Sequence, residues 1–317
     1  MPKLEIQPFS EAHLDAAARL LEERHARHVG AEPLLAKEID FRAEIQELVA
    51  TEGTSGAIAI RDGRVEGYLL GTPKAEDTWG PNIWVDHAGH AAEEPELVRD
   101  LYAVAAARWH EEGRDRQYVL VPATDRDLVD AWFRLSFGAQ HAAGIQATPE
   151  STNGAPEGVV VRRPTAADAE AVVRLDLALP GHQELAPVFA PGPTYTEQES
   201  RDEFLKEVDD TEQGLFVAEI EGRIVSLLAI VPIEKASMHT GLARPERAAF
   251  IGFAATLPEA RGSGAGLAVT NAGLDWAREQ GFPIVVVDWR ETNLLASRFW
   301  PRRGFRRTFL RLYRSIP

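Results

Sequence analysis

The sequence predicts two copies of one α/β fold in tandem, and three observations carry that expectation. Apolar residues recur at helical spacing in some segments and alternate in others, in the same order in both halves. A stretch rich in Pro, Gly, Ser and Thr, Gln146 to Gly158 (QATPESTNGAPEG), divides the chain almost at its middle and lacks apolar periodicity, as a linker does. Near the end of the first half Asp127, Leu128, Phe133 and Gly138 match Asn293, Leu294, Phe299 and Gly304 at one constant spacing. The expected division is residues 1–147 for the first domain, 148–157 for the linker and 158–317 for the second domain.

Each half opens with an extended segment, a proline and a helix-start signal, IQPFSEAHLDAAARLL and VRRPTAADAEAVVRLDL. Ser10 and Thr165 suit the N-cap, since a short side-chain oxygen can accept an orphan amide of the first turn. A hairpin follows in each half, IAIRDGRVEGYLLG and FVAEIEGRIVSLLAI, with two-residue turns at Asp62-Gly63 and Glu221-Gly222 between alternating apolar runs. Next come a helix bearing Trp109 or Trp276, a glycine (Gly113 or Gly281) and a β-rich run, QYVLV or PIVVV.

Composition narrows the chemistry. Hydrophobic residues are 44% and charged residues 26% of the 317, ordinary for a globular chain. Cysteine is absent, which excludes disulfides, thiolate metal sites and an acyl-cysteine intermediate. No run reaches the roughly 18 apolar residues of a membrane span, and the N-terminus lacks a signal-peptide pattern. A cytoplasmic location with no membrane partner is therefore expected. The net charge of −15 disfavours nucleic acid; it would favour a cationic small substrate such as an amine, or serve only to keep the protein soluble.

The most informative stretch is AAFIGFAATLPEARGSGAGLAVTNAGLDWAREQG. An apolar strand ends at Leu257-Pro258, and Arg261-Gly262-Ser263-Gly264-Ala265-Gly266 leads into a helix with Leu267, Leu274 and Ala277 on its inner face. Glycines let the backbone curl with its amides inward, and the helix adds its positive end, so the turn suits a phosphate or pyrophosphate. A Walker A loop needs Gly-Lys-Ser/Thr, and Leu267 follows Gly266. A dinucleotide fingerprint needs its first glycine at the strand end and a small residue where Val269 stands; only Asp288, closing IVVVD, favours it.

Arg261, Gly264 and Gly266 fit a third pattern, Arg/Gln-x-x-Gly-x-Gly/Ala. Downstream, Asn293-Leu-Leu-Ala296-Ser-Arg-Phe299-Trp300-Pro-Arg-Arg-Gly304-Phe305 fits Asn-x-x-Ala-x-x-Phe-Tyr-x-x-x-Gly-Phe except at the tyrosine. Both motifs, in this order and separation, resemble the GNAT (Gcn5-related N-acetyltransferase) superfamily. The resemblance covers the second half firmly and the first half as a degenerate copy. It implies that each domain is a mixed, mostly antiparallel sheet flanked by helices. It further implies an acyltransferase that moves an acyl group from acetyl-CoA to a primary amine by direct attack. By the same resemblance, backbone atoms of Ala254, Ala255 and Thr256 would pair with the pantetheine arm, and amides from Arg261 through Gly262, Ser263, Gly264, Ala265 and Gly266 would hold the pyrophosphate. Asn293 would sit near the thiol end, and Phe299 and Phe305 would be core residues.

Two departures bear on mechanism. Trp300 stands where many family members place the tyrosine that protonates the leaving thiolate, and an indole N–H is too weak an acid to replace it. The strand before the loop carries no carboxylate, so the general base is open among His182, Glu184 and Asp288, with Glu219, His239 or a water as further candidates. His182 and Glu184 are expected in a loop, PGHQELAPVFAPGPTYTEQ, which by the resemblance would form the acceptor wall. A catalytically weak or regulatory acyl-CoA-binding protein is the alternative, and a nicotinamide-dependent oxidoreductase a third reading.

In the first half the glycines are missing. Pro95, Val98 and Asp100 fall at the positions of Arg261, Gly264 and Gly266, and the acidic run HAAEEPELVRDLY would repel a pyrophosphate. Asp86, His87, His90, Glu93 and Glu94 suggest a metal cluster, but an exposed polar loop is the simpler expectation, and no metal is expected. His25 and His28, beside Glu22 and Glu23, are read as a solvated helix face. The remaining partner expectation is a small-molecule or peptide amine, with the protein a monomer or homodimer.

Overall fold

The structure, a computed structural model, describes residues 3–190, 195–236 and 239–317. In chain order its first elements are β1 (Leu4–Pro8), α1 (Leu14–Ala31), α2 (Phe41–Ala50), β2 (Ser55–Arg61), β3 (Arg64–Gly71), α3 (Glu76–Trp79) and β4 (Asn82–Val85). They continue with β5 (His90–Ala92), α4 (Leu97–Glu111), β6 (Arg116–Pro122), α5 (Arg126–Phe133) and β7 (Gly138–Ala147). The rest are β8 (Val159–Arg162), α6 (Ala169–Glu184), α7 (Glu197–Glu207), β9 (Gly214–Ile220), β10 (Arg223–Pro232), β11 (Ala248–Thr256), α8 (Ala265–Glu279), β12 (Ile284–Arg290), α9 (Ala296–Phe299) and β13 (Arg306–Ser315). The fold is mixed α/β with mostly antiparallel pairing, not the doubly wound parallel sheet in which a dinucleotide fingerprint sits. None of the described helices is long and apolar enough to cross a membrane.

Two compact units result, neither continuous in sequence. The first comprises residues 1–143, 240–244 and 307–317, and the second residues 144–239 and 245–306. In the first, β1, β2, β3 and β5 pair antiparallel in that order, β4 pairs parallel with β6, and β13 pairs antiparallel with β6. Leu14, Leu20, Leu21, Ile45, Ile58, Tyr68, Leu242 and Phe309 share its core. Gly71 is required where it stands, because a Cβ there would lie 2.5 Å from the Trp109 ring.

The turn and cap signals act as their chemistry demands. Ser10 and Thr165 form capping boxes with His13 and Asp168. Asp62-Gly63 and Glu221-Gly222 take positive φ (50° and 76°, 50° and 73°), the two-residue hairpin geometry whose twist matches its strands. Residues of the Pro- and Gly-rich stretch lie along the second unit: Thr152 Oγ1 donates to Asp275 at 2.7 Å and Asn271 Nδ2 to the Gly154 carbonyl at 2.7 Å.

Within the second unit, β10 pairs antiparallel with both β9 and β11. β11 pairs parallel with β12 only over Ala248–Ile251. At that point Gly252 is bulged out of register, with Ile230 opposite Ile251 and Ala229 opposite Phe253. A bulge bends its strand, so β11 leaves β12 there. Among the described residues, the remaining edge, 252–256, pairs with β10 and with no second strand.

Three sequence expectations are corrected. His182 and Glu184 lie not in a loop but in the last turn of α6, which runs through Pro180; residues 191–194 of the same expected loop fall outside the described set. His25 and His28 are each 2% exposed, because Leu14, Ala17, Leu21, His25 and His28 form the stripe of α1 that faces the core. His87 and His90 are likewise buried rather than exposed: His90 Nε2 lies 3.1 Å from the Leu120 carbonyl and the His87 ring stands edge-on to Phe309. No group of three or more metal-ligating side chains occurs among the described residues.

Candidate functional site

The divergence of β11 from β12 opens a cavity of about 430 Å³ in the second unit. One wall is the freed edge of β11, Ala254, Ala255 and Thr256. A second is the glycine loop with the start of α8, a third the inner face of α6 at Ala178, Leu179 and His182, and a fourth the segment from Asn293 to Arg303.

The loop is built to leave amides unspent. Gly262 and Gly264 have φ of +85° and +90°, and among the described residues their amides donate to no backbone carbonyl. The first helical amides after them have no intrahelical acceptor either. Side chains are excluded by contact as well as by φ: a Cβ on Gly264 would meet Pro156 Cγ at 2.6 Å, and one on Gly266 would meet Thr256 Oγ1 at 2.9 Å. Ser263 and Ala265 do something else. The Ser263 hydroxyl donates to the Ala260 carbonyl at 2.7 Å and accepts from the Ala265 amide at 3.3 Å, so both tie the turn together, and neither lines the cavity.

Asn293, 5% exposed, fixes the opposite wall. Its Oδ1 accepts from the amides of Leu295 at 3.1 Å and Ala296 at 3.3 Å. Two backbone donors on one atom identify that atom as the oxygen. His182 Nε2 lies 3.4 Å from the same oxygen, and so faces it as a donor. The lone pair of the neutral ring is then on Nδ1.

The other base candidates are elsewhere. Glu184 is exposed at the end of α6, and Asp288 on β12 has its carboxylate 3.9 Å from Nε2 of the buried His239; neither lines the cavity. Trp300 does line it. The indole is 5% exposed and stands edge-on to Phe299 and Phe305 at centroid distances of 5.0 and 5.5 Å. Phe305 is a core residue, whereas Phe299 is half-buried on the cavity wall with the Arg303 guanidinium 4.7 Å over its ring. Of the expected cofactor residues, Ala254, Ala255, Thr256, Arg261, Gly262, Gly264, Gly266, Asn293 and Trp300 are brought together here.

Sequence reading missed Arg303, Ser226 and the α6 residues Ala178 and Leu179. Arg303 lies inside a motif already singled out and could have been weighed. The α6 residues carry no local signal, since only the fold brings that helix face to the cavity.

The matching region of the first unit is built differently. The α4 amides of Leu97, Val98 and Arg99 are bonded to the carbonyls of Glu94, Pro95 and Glu96, which leaves them nothing to offer a phosphate. The strand that would match β11 is broken into β4 and β5. Buried Arg24 fills the break, its guanidinium donating to the carbonyls of His87 and His90.

Comparison with known proteins bears on family and fold. The family model described as Acetyltransferase (GNAT) family matches residues 182–305. No curated protein sequence matches the chain significantly. Among solved structures, a GCN5-related N-acetyltransferase from Sphaerobacter thermophilus is similar at TM-score 0.59 and 15% identity, over 98% of this chain and 95% of that one. A fungal GCN5-related glucosamine N-acetyltransferase region, part of a multi-domain β-N-acetylglucosaminidase, is similar at TM-score 0.53 and 14% identity, over 99% of this chain and 38% of that one. A tandem GNAT protein from the clavulanic acid biosynthesis pathway reaches TM-score 0.48 at 14% identity, over 99% of this chain and 98% of that one. These likenesses are of fold.

Proposed function

We propose that this chain, whose residues 182–305 match the model of the acetyltransferase (GNAT) family, transfers an acyl group from acetyl-CoA to an amine, using the cavity of the second unit. The observation that carries the reading is electrostatic. In a protein of net charge −15, the residues around this cavity include no carboxylate, and their ionisable groups are His182, Arg261 and Arg303. Such a lining, with unspent amides at a helix start, suits a polyanionic pyrophosphate. The freed edge of β11 offers an extended partner for the amide-rich pantetheine arm.

Acetyl-CoA supplies a thioester, and the residues supply positioning and proton transfer. An amide on the freed edge of β11 is placed to stabilise the tetrahedral oxyanion. His182 is the general acid–base group on the wall, since guanidinium stays protonated and hydroxyls are poor bases. With Nε2 held by Asn293, Nδ1 accepts the amine proton as nitrogen attacks the carbonyl carbon. The C–S bond then breaks, and the imidazolium returns its proton to the departing thiolate, the task Trp300 cannot perform.

His182→Ala is expected to lower kcat by about 100-fold or more while acetyl-CoA affinity stays within about twofold, as removal of a proton-transfer group should. His182→Gln, which keeps a donor to Asn293, should be equally slow. Full activity in the glutamine variant would assign His182 to positioning alone. Trp300 motivates a second reading, an acyl-CoA-binding protein without fast turnover; acetyl-CoA binding without thiol release across a panel of primary amines would favour it.

A further inference from the structure

His182 stands on the weakest part of its helix. Proline and glycine are the two poorest helix formers, and Pro180 and Gly181 lie inside α6 directly before it. Pro180 has no amide proton to give the Asp176 carbonyl, so one of the bonds that would tie the last turn to the rest of α6 is missing. Apolar packing does not replace it. Gly181, Glu184 and Leu185 are exposed, and His182 and Gln183 are only half-buried. A segment with so little burial opens easily unless polar contacts hold it.

Two such contacts exist, and both come from one turn. The Asn293 amide donates to the Arg290 carbonyl at 3.0 Å, closing residues 290–293 into a β-turn with Arg290 first and Asn293 fourth. From the first position, Arg290 Nε donates to Gln183 Oε1 at 3.1 Å. From the fourth, Asn293 Oδ1 faces His182 Nε2 at 3.4 Å. Successive residues of α6 are therefore held by the two ends of a single turn. The Ala190 amide adds a backbone bond to the Gln183 carbonyl at 2.9 Å.

The two grips are unequal. Asn293 Oδ1 already accepts from the Leu295 and Ala296 amides, and its contact with the ring is long. The Arg290 bond is shorter and has a charged donor, which strengthens it. We infer that Arg290, acting through Gln183, is the positioning residue for His182. It holds the last turn of α6 so that the ring stays on the cavity wall, Nε2 toward Asn293 and Nδ1 available for a proton. Neither Arg290 nor Gln183 lines the cavity, so their action is through His182. The effect on rate rests on the acetyltransferase reading above, whereas the placement of the ring can be read without turnover.

Arg290 makes other contacts as well, so the test alters Gln183 in the full chain. Gln183→Met keeps the length of the side chain and removes the acceptor; Gln183→Glu keeps the acceptor. Placement is read by NMR as the nuclear Overhauser contact between the His182 ring and the Leu295 amide, two groups that meet at Asn293 Oδ1. The contact is expected in the wild type, lost in Gln183→Met and restored in Gln183→Glu. Rate should follow placement. Gln183→Met is expected to lower kcat about tenfold or more with acetyl-CoA affinity within about twofold, and Gln183→Glu to recover most of that loss. In a His182→Ala background, Gln183→Met should have no further effect. A contact that is absent from the wild type or persists in Gln183→Met would overturn the inference, and so would a further loss of rate when Gln183→Met is added to His182→Ala. The expected pattern of contacts in a protein that transfers no acyl group would instead overturn the acetyltransferase reading and leave the placement of His182 standing.

Discussion

Gly264→Glu is expected to abolish acetyl-CoA binding, weakening it by about a thousandfold or more, roughly 4 kcal/mol. Three effects act in the same direction. An L side chain at φ +90° is strained by about 1–3 kcal/mol. The new Cβ would lie 2.6 Å from Pro156 Cγ, so either the loop or the segment bearing Pro156 must move. Finally, a carboxylate is placed on the loop whose Gly262 and Gly264 amides donate to no backbone carbonyl and where a pyrophosphate would otherwise bind. Calorimetry should show near one acetyl-CoA per wild-type chain and none in the variant, with circular dichroism unchanged. Two per chain would overturn the account of the first unit, in which Arg24 fills the broken strand and the α4 amides are already bonded. No binding by the wild type would remove the acyltransferase proposal. Gly264→Ala separates the causes, since it carries the strain and contact without the charge, and it should retain weakened binding.

Much of this site was legible because it depends on local chemistry. Glycines at Gly262 and Gly264, the strand before them and the Asn293–Phe305 motif are short-range patterns, and each demands one backbone conformation. The same holds for the hairpins at Asp62-Gly63 and Glu221-Gly222 and the caps at Ser10 and Thr165. What escaped the sequence depends on tertiary placement. His25 and His28 look like a solvated face because glutamates and arginines surround them in sequence, yet their spacing from Leu14, Ala17 and Leu21 puts them on the buried stripe. His87 and His90 look like an exposed polar loop, yet they are buried in a turn and a short strand whose carbonyls Arg24 satisfies from α1. In sequence His182 stands level with Glu184 and Asp288, and only the fold brings its helix, α6, against Asn293 on the cavity wall. The composition of the chain ends was equally silent about residues 307–317, which complete the first unit although they follow the second half in sequence.

The buried histidines of the first unit make it acid-labile over a defined range. Burial, with Arg24 close by, pushes the folded-state pKa of His28 and of His90 down from 6.5 to about 3, and burial lowers that of His25 too. The sign follows from linkage. Above pH 6.5 these rings are neutral in both folded and unfolded chains and exert no pH dependence. As pH falls below 6.5 the unfolded chain binds protons that the folded unit refuses, so stability is lost progressively down to about pH 3. Each lowering by about 3.5 corresponds to a ceiling of about 5 kcal/mol at 1.4 kcal/mol per unit, and relaxation of the site brings roughly 3 kcal/mol within reach. Two such groups rival the whole stability of a domain, roughly 5–15 kcal/mol. Arg24 sharpens the effect: its own pKa falls only to about 10, so it remains a cation that opposes protonation of both rings. Urea unfolding followed by tryptophan fluorescence at pH 7, 5.5 and 4.5 should show a steep fall in stability for the wild type. His28→Leu combined with His90→Gln, the glutamine chosen to keep a donor to the Leu120 carbonyl, should flatten that fall whatever its effect at pH 7. An equally steep fall in the double variant would place the acid sensitivity on carboxylates instead, such as Asp168, whose pKa is lowered chiefly by its hydrogen bonds with Arg162.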